Sequence, residues 1–191
     1  MLSISLKFMV GLARTAVRCN LVELDLSINP KEHEMFELPM SLLTCKSLKI
    51  LILRLVFIIS MPTLVMCSPS LKYLHIHMKT YEPEVDVDDD QVTINYCGDI
   101  SMNLFHFPVL EYLSIDGDLG HSLLDFSISA PELKTLRIDF YSSDDSHDMY
   151  NFSIGAPKLE KLDLHECSIS NFNFENTKFL VEANINWTLQ V

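Results

Sequence analysis

Two histidines at alternate positions form the pattern in this sequence that most suggests metal chemistry. His75 and His77 flank one isoleucine, and alternate residues of a β-strand point to the same face. Two imidazoles on one face supply part of a zinc site, which takes three or four protein ligands. Because no third ligand stands near them in the sequence, the pair is more typical of an exposed strand surface. We therefore predict that no metal is bound.

Two other segments resemble ion-binding or reactive sites. Residues 86–91 begin like a calcium loop, but Gln91 and Cys97 occupy the positions that such a loop gives to glycine and glutamate. His165 and Cys167 are spaced as a nucleophile pair, but the repeat pattern described below directs the cysteine inward, as a structural thiol. Neither segment predicts a site.

The common signatures of hydrolases and nucleotide-binding enzymes are missing from the sequence. It contains no G-x-S-x-G, no H-E-x-x-H and no phosphate-binding loop. Five glycines in 191 residues leave little of the backbone freedom that phosphate loops require. We predict a noncatalytic protein without a cofactor.

The net charge of −12 is concentrated in one part of the chain. Between Thr80 and Leu133 there are twelve acidic residues and no lysine or arginine, while the remainder balances 14 acids against 14 bases. Negative charge repels phosphate backbones, so we predict no nucleic-acid binding. The negative charge of the acidic insertion near residues 80–100 is compatible with a basic partner, but we favour the interpretation that this segment is a solvated, projecting loop.

Cysteine usage and hydropathy bear on location. Five scattered cysteines without a C-x-x-C pair favour reduced thiols in a cytoplasmic or nuclear protein.

The apolar run at residues 50–67 has the hydropathy of a membrane span, but Arg54 and Pro62 interrupt it. We interpret the run as a buried strand followed by a connection, and predict no membrane partner.

Regularly spaced leucines are the strongest pattern in the sequence. The motif Leu-x-x-Leu-x-(Leu/Ile) occurs six times and a degraded copy follows, with first leucines at Leu21, Leu48, Leu71, Leu110, Leu133, Leu159 and Leu180. Successive starts are 27, 23, 39, 23, 26 and 21 residues apart, and five of these six spacings are typical of leucine-rich repeats. Stacked repeats would form a parallel sheet over one shared core of leucines.

Proline reinforces the repeat. It stands two residues before the first leucine at Pro69, Pro108, Pro131 and Pro157, where its fixed φ sets a turn into the next strand. In two late repeats an alternating apolar segment precedes the proline, at 126–128 and 152–154. These repeats are therefore predicted to hold two short strands, one on each side of a proline corner.

The N-terminal part has a different pattern. Residues 5–18 read as an amphipathic helix and residues 39–48 as a short helical turn. We predict an α/β leucine-rich repeat solenoid that is strand-rich, with a parallel sheet on its concave face and short helices near the N-terminus. Residues 1–18 form an N-terminal helix or cap, and residues 19–191 an array of about seven repeats. Because neither end repeat has a convincing polar cap, core leucines should be exposed at both ends.

The outward positions of the predicted strands are the candidate binding surface. In each repeat the residues between the leucines face away from the core. Several are tyrosine or arginine, which anchor many protein interfaces. The predicted protein-binding residues are Arg54, Tyr73, His75, His77, Tyr112, Asp116, Arg137, Asp139, Lys161, Asp163 and His165.

Longer motifs resemble one family. The segment LPMSLLTCKSLKILIL, followed by SPSLKYLHI and FPVLEYLSI, resembles the leucine-rich region of plant F-box/LRR proteins, including those that end in an FBD domain. The segment ARTAVRCNLVELDLSI resembles the junction between helix and first repeat in that family. The resemblance covers residues 11–187. We expect residues 1–18 to be the truncated junction to a missing F-box, with the FBD domain also missing.

The resemblance implies a role in protein recognition. Members of that family are substrate receptors of cullin-type ubiquitin ligases, in which the F-box holds the adaptor subunit and the repeats hold the substrate. It implies that this chain is a noncatalytic protein-binding domain, and that it contacts the ligase adaptor only if an F-box is supplied. The alternative is a truncated repeat remnant that acts as a decoy or scaffold with no link to a ligase.

Overall fold

The computed structural model describes residues 20–28, 42, 44–58, 65–81, 101–118, 124–140, 150–165, 169–175 and 178–186. Three of the predictions above lie outside these residues. They are the helix at residues 5–18, the loop structure of the acidic segment 82–100, and the inward orientation of Cys167.

Strands account for most of the described residues. Twelve are present in that part of the chain, and their bounds in chain order are β1 Glu23–Ile28, β2 Ile50–Ile58, β3 Val65–Cys67, β4 Tyr73–Tyr81, β5 Ser101–His106, β6 Tyr112–Asp118, β7 Leu124–Ser129, β8 Thr135–Phe140, β9 Tyr150–Gly155, β10 Lys161–His165, β11 Ile169–Glu175 and β12 Glu182–Asn186.

The strands form two parallel sheets. The front sheet has seven strands in the order β1-β2-β4-β6-β8-β10-β12, and the back sheet has five in the order β11-β9-β7-β5-β3. Every pairing between neighbours is parallel. From β2 to β11 the chain alternates between the two sheets, so each coil lays one strand on each. The predicted strand-rich, parallel solenoid is confirmed.

The second leucine of each repeat lies in a continuous column across the front sheet. The aligned residues are Leu24, Leu51, Leu74, Leu113, Leu136 and Leu162. All six are buried, and each contributes on the order of 2 kcal/mol through removal of apolar surface from water. The core lies between the sheets, where no single coil could bury its own leucines.

Proline corners connect the back sheet to the front sheet. At Pro131 the N–H of Leu133 donates to the carbonyl of Ala130 at 3.1 Å, and at Pro157 the N–H of Leu159 donates to the carbonyl of Ala156 at 3.1 Å. Each bond closes a β-turn with proline at its second position, where the ring's fixed φ fits. The predicted pair of short strands around each of these corners is confirmed.

Successive front strands begin with the same hydrogen-bond arrangement. The carbonyl of Lys72 accepts from the N–H groups of Glu111 at 2.9 Å and Tyr112 at 3.1 Å. One coil later the carbonyl of Glu111 accepts from Lys134 at 2.9 Å and Thr135 at 3.1 Å. This repetition satisfies the backbone at the start of each strand and fixes the register between coils.

A stack of phenylalanines fills the back of the core. Phe126 and Phe152 lie in register on β7 and β9, with ring centroids 4.7 Å apart and planes inclined by 3°. Phe172 continues the stack on β11 at 5.5 Å from Phe152. Phe140, at the end of β8 in the front sheet, lies 6.1 Å from both Phe126 and Phe152. The aromatic rings therefore join the two sheets.

Gly117 is the one position among the described strands where glycine is required by a close backbone approach. Its φ is 134°, and a Cβ built on it would lie 1.7 Å from the carbonyl oxygen of Met78 on β4. It occupies the inward position between Met78 and Phe140. A larger residue would push β6 away from β4.

Helix is nearly absent from the described residues, where Leu42 alone is helical. The α/β class and the predicted short helices near the N-terminus are therefore not supported beyond that residue. The described part of the predicted turn at residues 39–48 does contain turn hydrogen bonds, from the N–H of Cys45 to the carbonyl of Leu42 at 3.2 Å and from the N–H of Leu48 to the carbonyl of Cys45 at 3.4 Å. The physical reason lies in the return segments, such as 126–128 and 152–154. These segments alternate apolar and polar residues, and that period of two builds a second sheet instead of a helical layer.

The apolar run at residues 50–67 contains β2 and β3. Leu51, Leu53 and Leu55 point into the core and are buried. The interpretation of this run as containing a buried strand is confirmed, whereas the predicted connection falls partly on residues 59–64, outside the described residues, and residues 65–67 form a strand.

The two ends of the array differ in exposure. Leu180 and Ile185, in the seventh repeat, are 38% and 54% exposed, as predicted for an uncapped end. The same prediction was wrong at the N-terminal end, where Leu24 and Leu26 are 8% and 3% exposed. Those two side chains are covered although β1 is the first strand of the front sheet.

Candidate binding face on the front sheet

All eleven predicted binding residues lie at outward positions of the front sheet, where they form three rows across the strands. The first row contains Tyr73, Tyr112 and Lys161, and the second contains His75, Arg137 and Asp163. The third row contains Arg54, His77, Asp116, Asp139 and His165. We call these rows the binding face. Their positions follow from the leucine column, because residues on either side of an inward leucine point outward.

Two stacked tyrosines occupy the middle of the first row. The rings of Tyr73 and Tyr112 lie 4.5 Å apart with planes inclined by 3°. Burial raises the pKa of Tyr73 above its ordinary value, and the neighbouring Tyr112 and Asp116 raise it further. The pair is a rigid, partly desolvated aromatic ridge at the centre of the sheet.

One carboxylate serves both histidines of the sequence pattern. The Nε2 of His75 lies 2.5 Å from Oδ2 of Asp116, and Nδ1 of His77 contacts the other carboxylate oxygen. For both imidazoles to donate, His75 must carry its proton on Nε2 and His77 on Nδ1. Asp116 thereby fixes the orientation of two rings at once.

The His–Asp–His cluster is a hydrogen-bonded arrangement. Among the described residues, no group of three or more histidine, cysteine, aspartate or glutamate side chains is placed to hold a metal ion. Both described cysteines carry free thiols, with Cys45 buried and Cys67 exposed, and neither lies in a front strand.

Ion pairs cover the strands on both sides of the tyrosines. Arg137 donates to Asp139 at 2.8 Å, and this hydrogen bond raises the pKa of the guanidinium above its ordinary value. Asp163 and His165 approach to 2.6 Å, although Oδ1 of Asp163 has no partner in hydrogen-bond geometry among the described residues. Arg54 pairs with Asp25 on the neighbouring strand. Such exposed pairs contribute little stability, so their charges are available to a partner.

A row of alternating charges lies just before the front strands and was missed in the sequence analysis. Glu111 accepts from Lys72 at 2.7 Å and from Lys134 at 3.1 Å. These two hydrogen bonds lower the pKa of Glu111 below its ordinary value of 4.5, while Glu111 raises the pKa of Lys134. The residue after the first leucine carried the signal, because in the third to sixth repeats it alternates between lysine and glutamate, as Lys72, Glu111, Lys134 and Glu160.

The arrangement is suited to noncovalent recognition. It offers an aromatic ridge, oriented imidazoles and paired charges on a regular sheet. Seven strands spaced by about 4.8 Å make a face about 30 Å across, which matches the scale of a protein contact. Contacts between neighbouring strands orient Arg54, Tyr73, Tyr112, the His–Asp–His cluster and Lys161, and contacts within one strand orient the pairs Arg137–Asp139 and Asp163–His165.

Comparisons with known proteins gave no match to any family model, any curated protein or any solved structure.

Within the described residues, no helix combines the length and the apolar character needed to cross a membrane.

Proposed function

We propose that the binding face holds a protein partner and that the chain is noncatalytic. The stacked Tyr73–Tyr112 pair is the observation that carries this proposal. Tyrosine supplies a large contact area at a low cost in conformational entropy, and it is enriched with arginine at the energetic centres of interfaces. Arg137 stands one strand beyond Tyr112, next to the aromatic ridge.

A protein fits this face better than a nucleic acid. Asp116, Asp139 and Asp163 lie on three adjacent strands at outward positions, and the whole chain carries −12. Phosphate backbones would be repelled by that charge. A protein surface with its own mixture of charged and apolar groups can bridge the paired charges and cover the tyrosines.

The family resemblance supports a finer proposal. The repeated Leu-x-x-Leu motif with proline before it is similar to the leucine-rich region of plant F-box proteins. We infer that the array is of the leucine-rich repeat type and recognises a substrate protein for a cullin-type ubiquitin ligase. Contact with the ligase adaptor would require an F-box.

The proposal is tested by comparing two variants in quantitative co-purification. The face variant combines Tyr112→Ser and Arg137→Ser. The control combines Asn171→Ser and Asn173→Ser on β11, because both asparagines are exposed on the back sheet. We expect a partner that is retained by the control and lost by the face variant.

Once that partner is purified, calorimetry should show that the face variant binds it about tenfold or more weakly than the unaltered chain does, because centrally placed tyrosine and arginine contribute most of the binding energy. Equal recovery of all partners by the two variants would contradict the proposal.

The ligase role needs a separate experiment. An F-box fused to the N-terminus should let the chain bind the adaptor, and the partner held by the binding face should become ubiquitinated in a reconstituted reaction. The face variant in the same fusion should bind the adaptor and leave the partner unmodified. If the intact fusion binds both proteins without ubiquitination of the partner, the alternative role as a decoy or scaffold is favoured.

A further inference from the structure

The His–Asp–His cluster on the binding face presents two hydrogen-bond acceptors that Asp116 does not use. The carboxylate accepts from Nε2 of His75 and from Nδ1 of His77. A neutral imidazole carries one proton, so the second nitrogen of each ring, Nδ1 of His75 and Nε2 of His77, is an acceptor. The two side chains are 30% and 34% exposed, so a partner can reach both rings.

The charges around the cluster balance one another except at Asp116. Among the described residues, the other titratable groups that face the two histidines from β2, β4 and β6 are Arg54, Tyr73, Lys79, Tyr112 and Asp118. Arg54 pairs with Asp25 on β1, and Lys79 lies opposite Asp118. The contacts that Asp116 makes are to histidines. The cluster therefore has a formal charge of −1 when both rings are neutral and of +1 when both are protonated.

The front sheet that surrounds the cluster is acidic. Its outward positions in the described strands carry seven aspartate and glutamate side chains but four lysine and arginine side chains. Complementary charge across an interface steers and orients the partner. A basic protein segment is therefore the kind of partner that this sheet attracts.

We propose that the His–Asp–His cluster receives a basic side chain of the protein partner, and that acidification releases it. The inference rests on the proposed function and adds the chemistry of the partner. An arginine carries five N–H donors in one planar group, which matches two imidazole acceptors next to a carboxylate.

Protonation of the rings reverses both features that attract a basic group. Histidine changes charge between about pH 5 and pH 8. Once protonated, each ring has a donor at both nitrogens, so the two acceptors are lost, and the charge of the cluster changes sign. His165, which contacts Asp163 and lies opposite Asp139 on β8, adds a third positive charge to the face in the same range. Binding of a basic segment is thus expected at neutral pH and its release at acid pH.

Nitrogen NMR of the histidine rings tests the basis of the proposal without a ligand. At about pH 7.5 the proton should lie on Nε2 of His75 and on Nδ1 of His77. Because an amide offers one acceptor and one donor group, Asp116→Asn should move the proton of one ring to its other nitrogen. Protons on the opposite nitrogens in the unaltered chain, or no change in Asp116→Asn, would contradict the positioning role of Asp116.

Fluorescence anisotropy with two labelled peptides tests the partner's chemistry on the full chain at constant ionic strength. One peptide alternates glycine with arginine, and the other alternates glycine with glutamate. The basic peptide should bind at about pH 7.5, more tightly than the acidic one, and its affinity should fall about tenfold or more at about pH 5.5.

The matched variants separate the cluster from the overall charge of the chain. Glutamine does not titrate in this range, so His75→Gln combined with His77→Gln should abolish most of the decrease in affinity. The control His106→Gln, on the exposed position of β5, should keep it. Failure of the basic peptide to bind, equal or tighter binding at acid pH, or an undiminished decrease in the double variant would overturn the proposal.

The partner recovered by co-purification distinguishes this inference from the proposed function. A partner that the face variant loses, but that binds the unaltered chain equally at the two pH values, would contradict the inference alone. Equal recovery of all partners by the face variant and its control would contradict the proposed function, and with it the role of the cluster in holding a protein.

Discussion

Asp116 shows how much chemistry a single residue organises on the front sheet. Its two carboxylate oxygens accept from two histidines that stand on the neighbouring strand. The insertion between the repeats separates these residues widely in the sequence, so local inspection of the histidines missed the aspartate. The repeat alignment contained the answer, because pairing Leu74 with Leu113 places His77 opposite Asp116.

Gly117→Ala should destabilise the protein by about 3 kcal/mol or more. The methyl group would collide with the backbone of Met78, and φ of 134° is strained for any residue with a Cβ. Gly155→Ala is the control, since Gly155 lies in register with Ser129 and Glu175, which already carry a Cβ. Urea denaturation should show a loss of stability for the first substitution alone. Equal midpoints for the two variants would show that β6 and β4 do not approach as described.

Two buried serines should respond to alanine in opposite directions. The Oγ of Ser68 has no hydrogen-bond partner within the part of the chain that the structure describes, so Ser68→Ala should stabilise the fold by about 1 kcal/mol by removing an unsatisfied group. Ser70 lies 2.7 Å from the carbonyl oxygen of Cys45 and 3.1 Å from that of Leu48, so Ser70→Ala should cost about 1 kcal/mol. Thermal denaturation of the two variants side by side measures the difference. A loss of stability in both would show that Ser68 has an acceptor.

Glu111 should titrate below an ordinary glutamate. Hydrogen bonds from Lys72 and Lys134 lower its pKa in the folded state. A lowered folded pKa means that the ionised pairs stabilise the fold above the ordinary value of 4.5, and that this stabilisation is lost as the pH falls through the folded pKa. NMR titration of the carboxyl carbon should show the pKa return toward 4.5 when Lys72→Met and Lys134→Met are combined. An unchanged titration curve in that variant would disprove the two contacts.

At the scale of elements, leucine spacing was sufficient to predict the front sheet, and proline the corners. Both patterns reflect local requirements. Leucine recurs because every second side chain of a strand points into the core, and proline recurs because its fixed φ suits the turn before the strand. The back sheet was predicted only at 126–128 and 152–154. The strands β3, β5 and β11 lack such a marker. Contacts between phenylalanines of neighbouring coils help to place β5, through Phe105 and Phe126, and β11, through Phe172 and Phe152, and no single segment reveals them.

The phenylalanine stack should tolerate truncation unequally along its length. Phe152→Ala should cost about 3–5 kcal/mol, because its ring is buried between Phe126 and Phe172 and contacts Phe140. Phe172→Ala should cost less, because Phe172 is only partly buried. Urea denaturation of both variants gives the comparison. Equal costs would show that Phe172 is packed as fully as Phe152 and would contradict its partial burial.

For the whole molecule, the solenoid follows from the sequence and the partner does not. The leucines of one coil remain exposed until another coil covers them, so stacking of the described coils is the condition for a dry core. The eleven outward residues do not need to be covered by a neighbouring coil, so the fold does not determine their types. Their types indicate a contact surface, but recognition depends on the partner's complementary groups, which the chain does not encode.

Hydroxyl-radical footprinting of the chain, free and bound to the partner recovered by co-purification, tests the central claim most directly. Reactive side chains stand on both sheets. We predict that bound partner lowers oxidation of Tyr112, His77 and His165 on the binding face and leaves His106, which is exposed on β5, unchanged. Protection of His106 with no change at the three front residues would contradict the account.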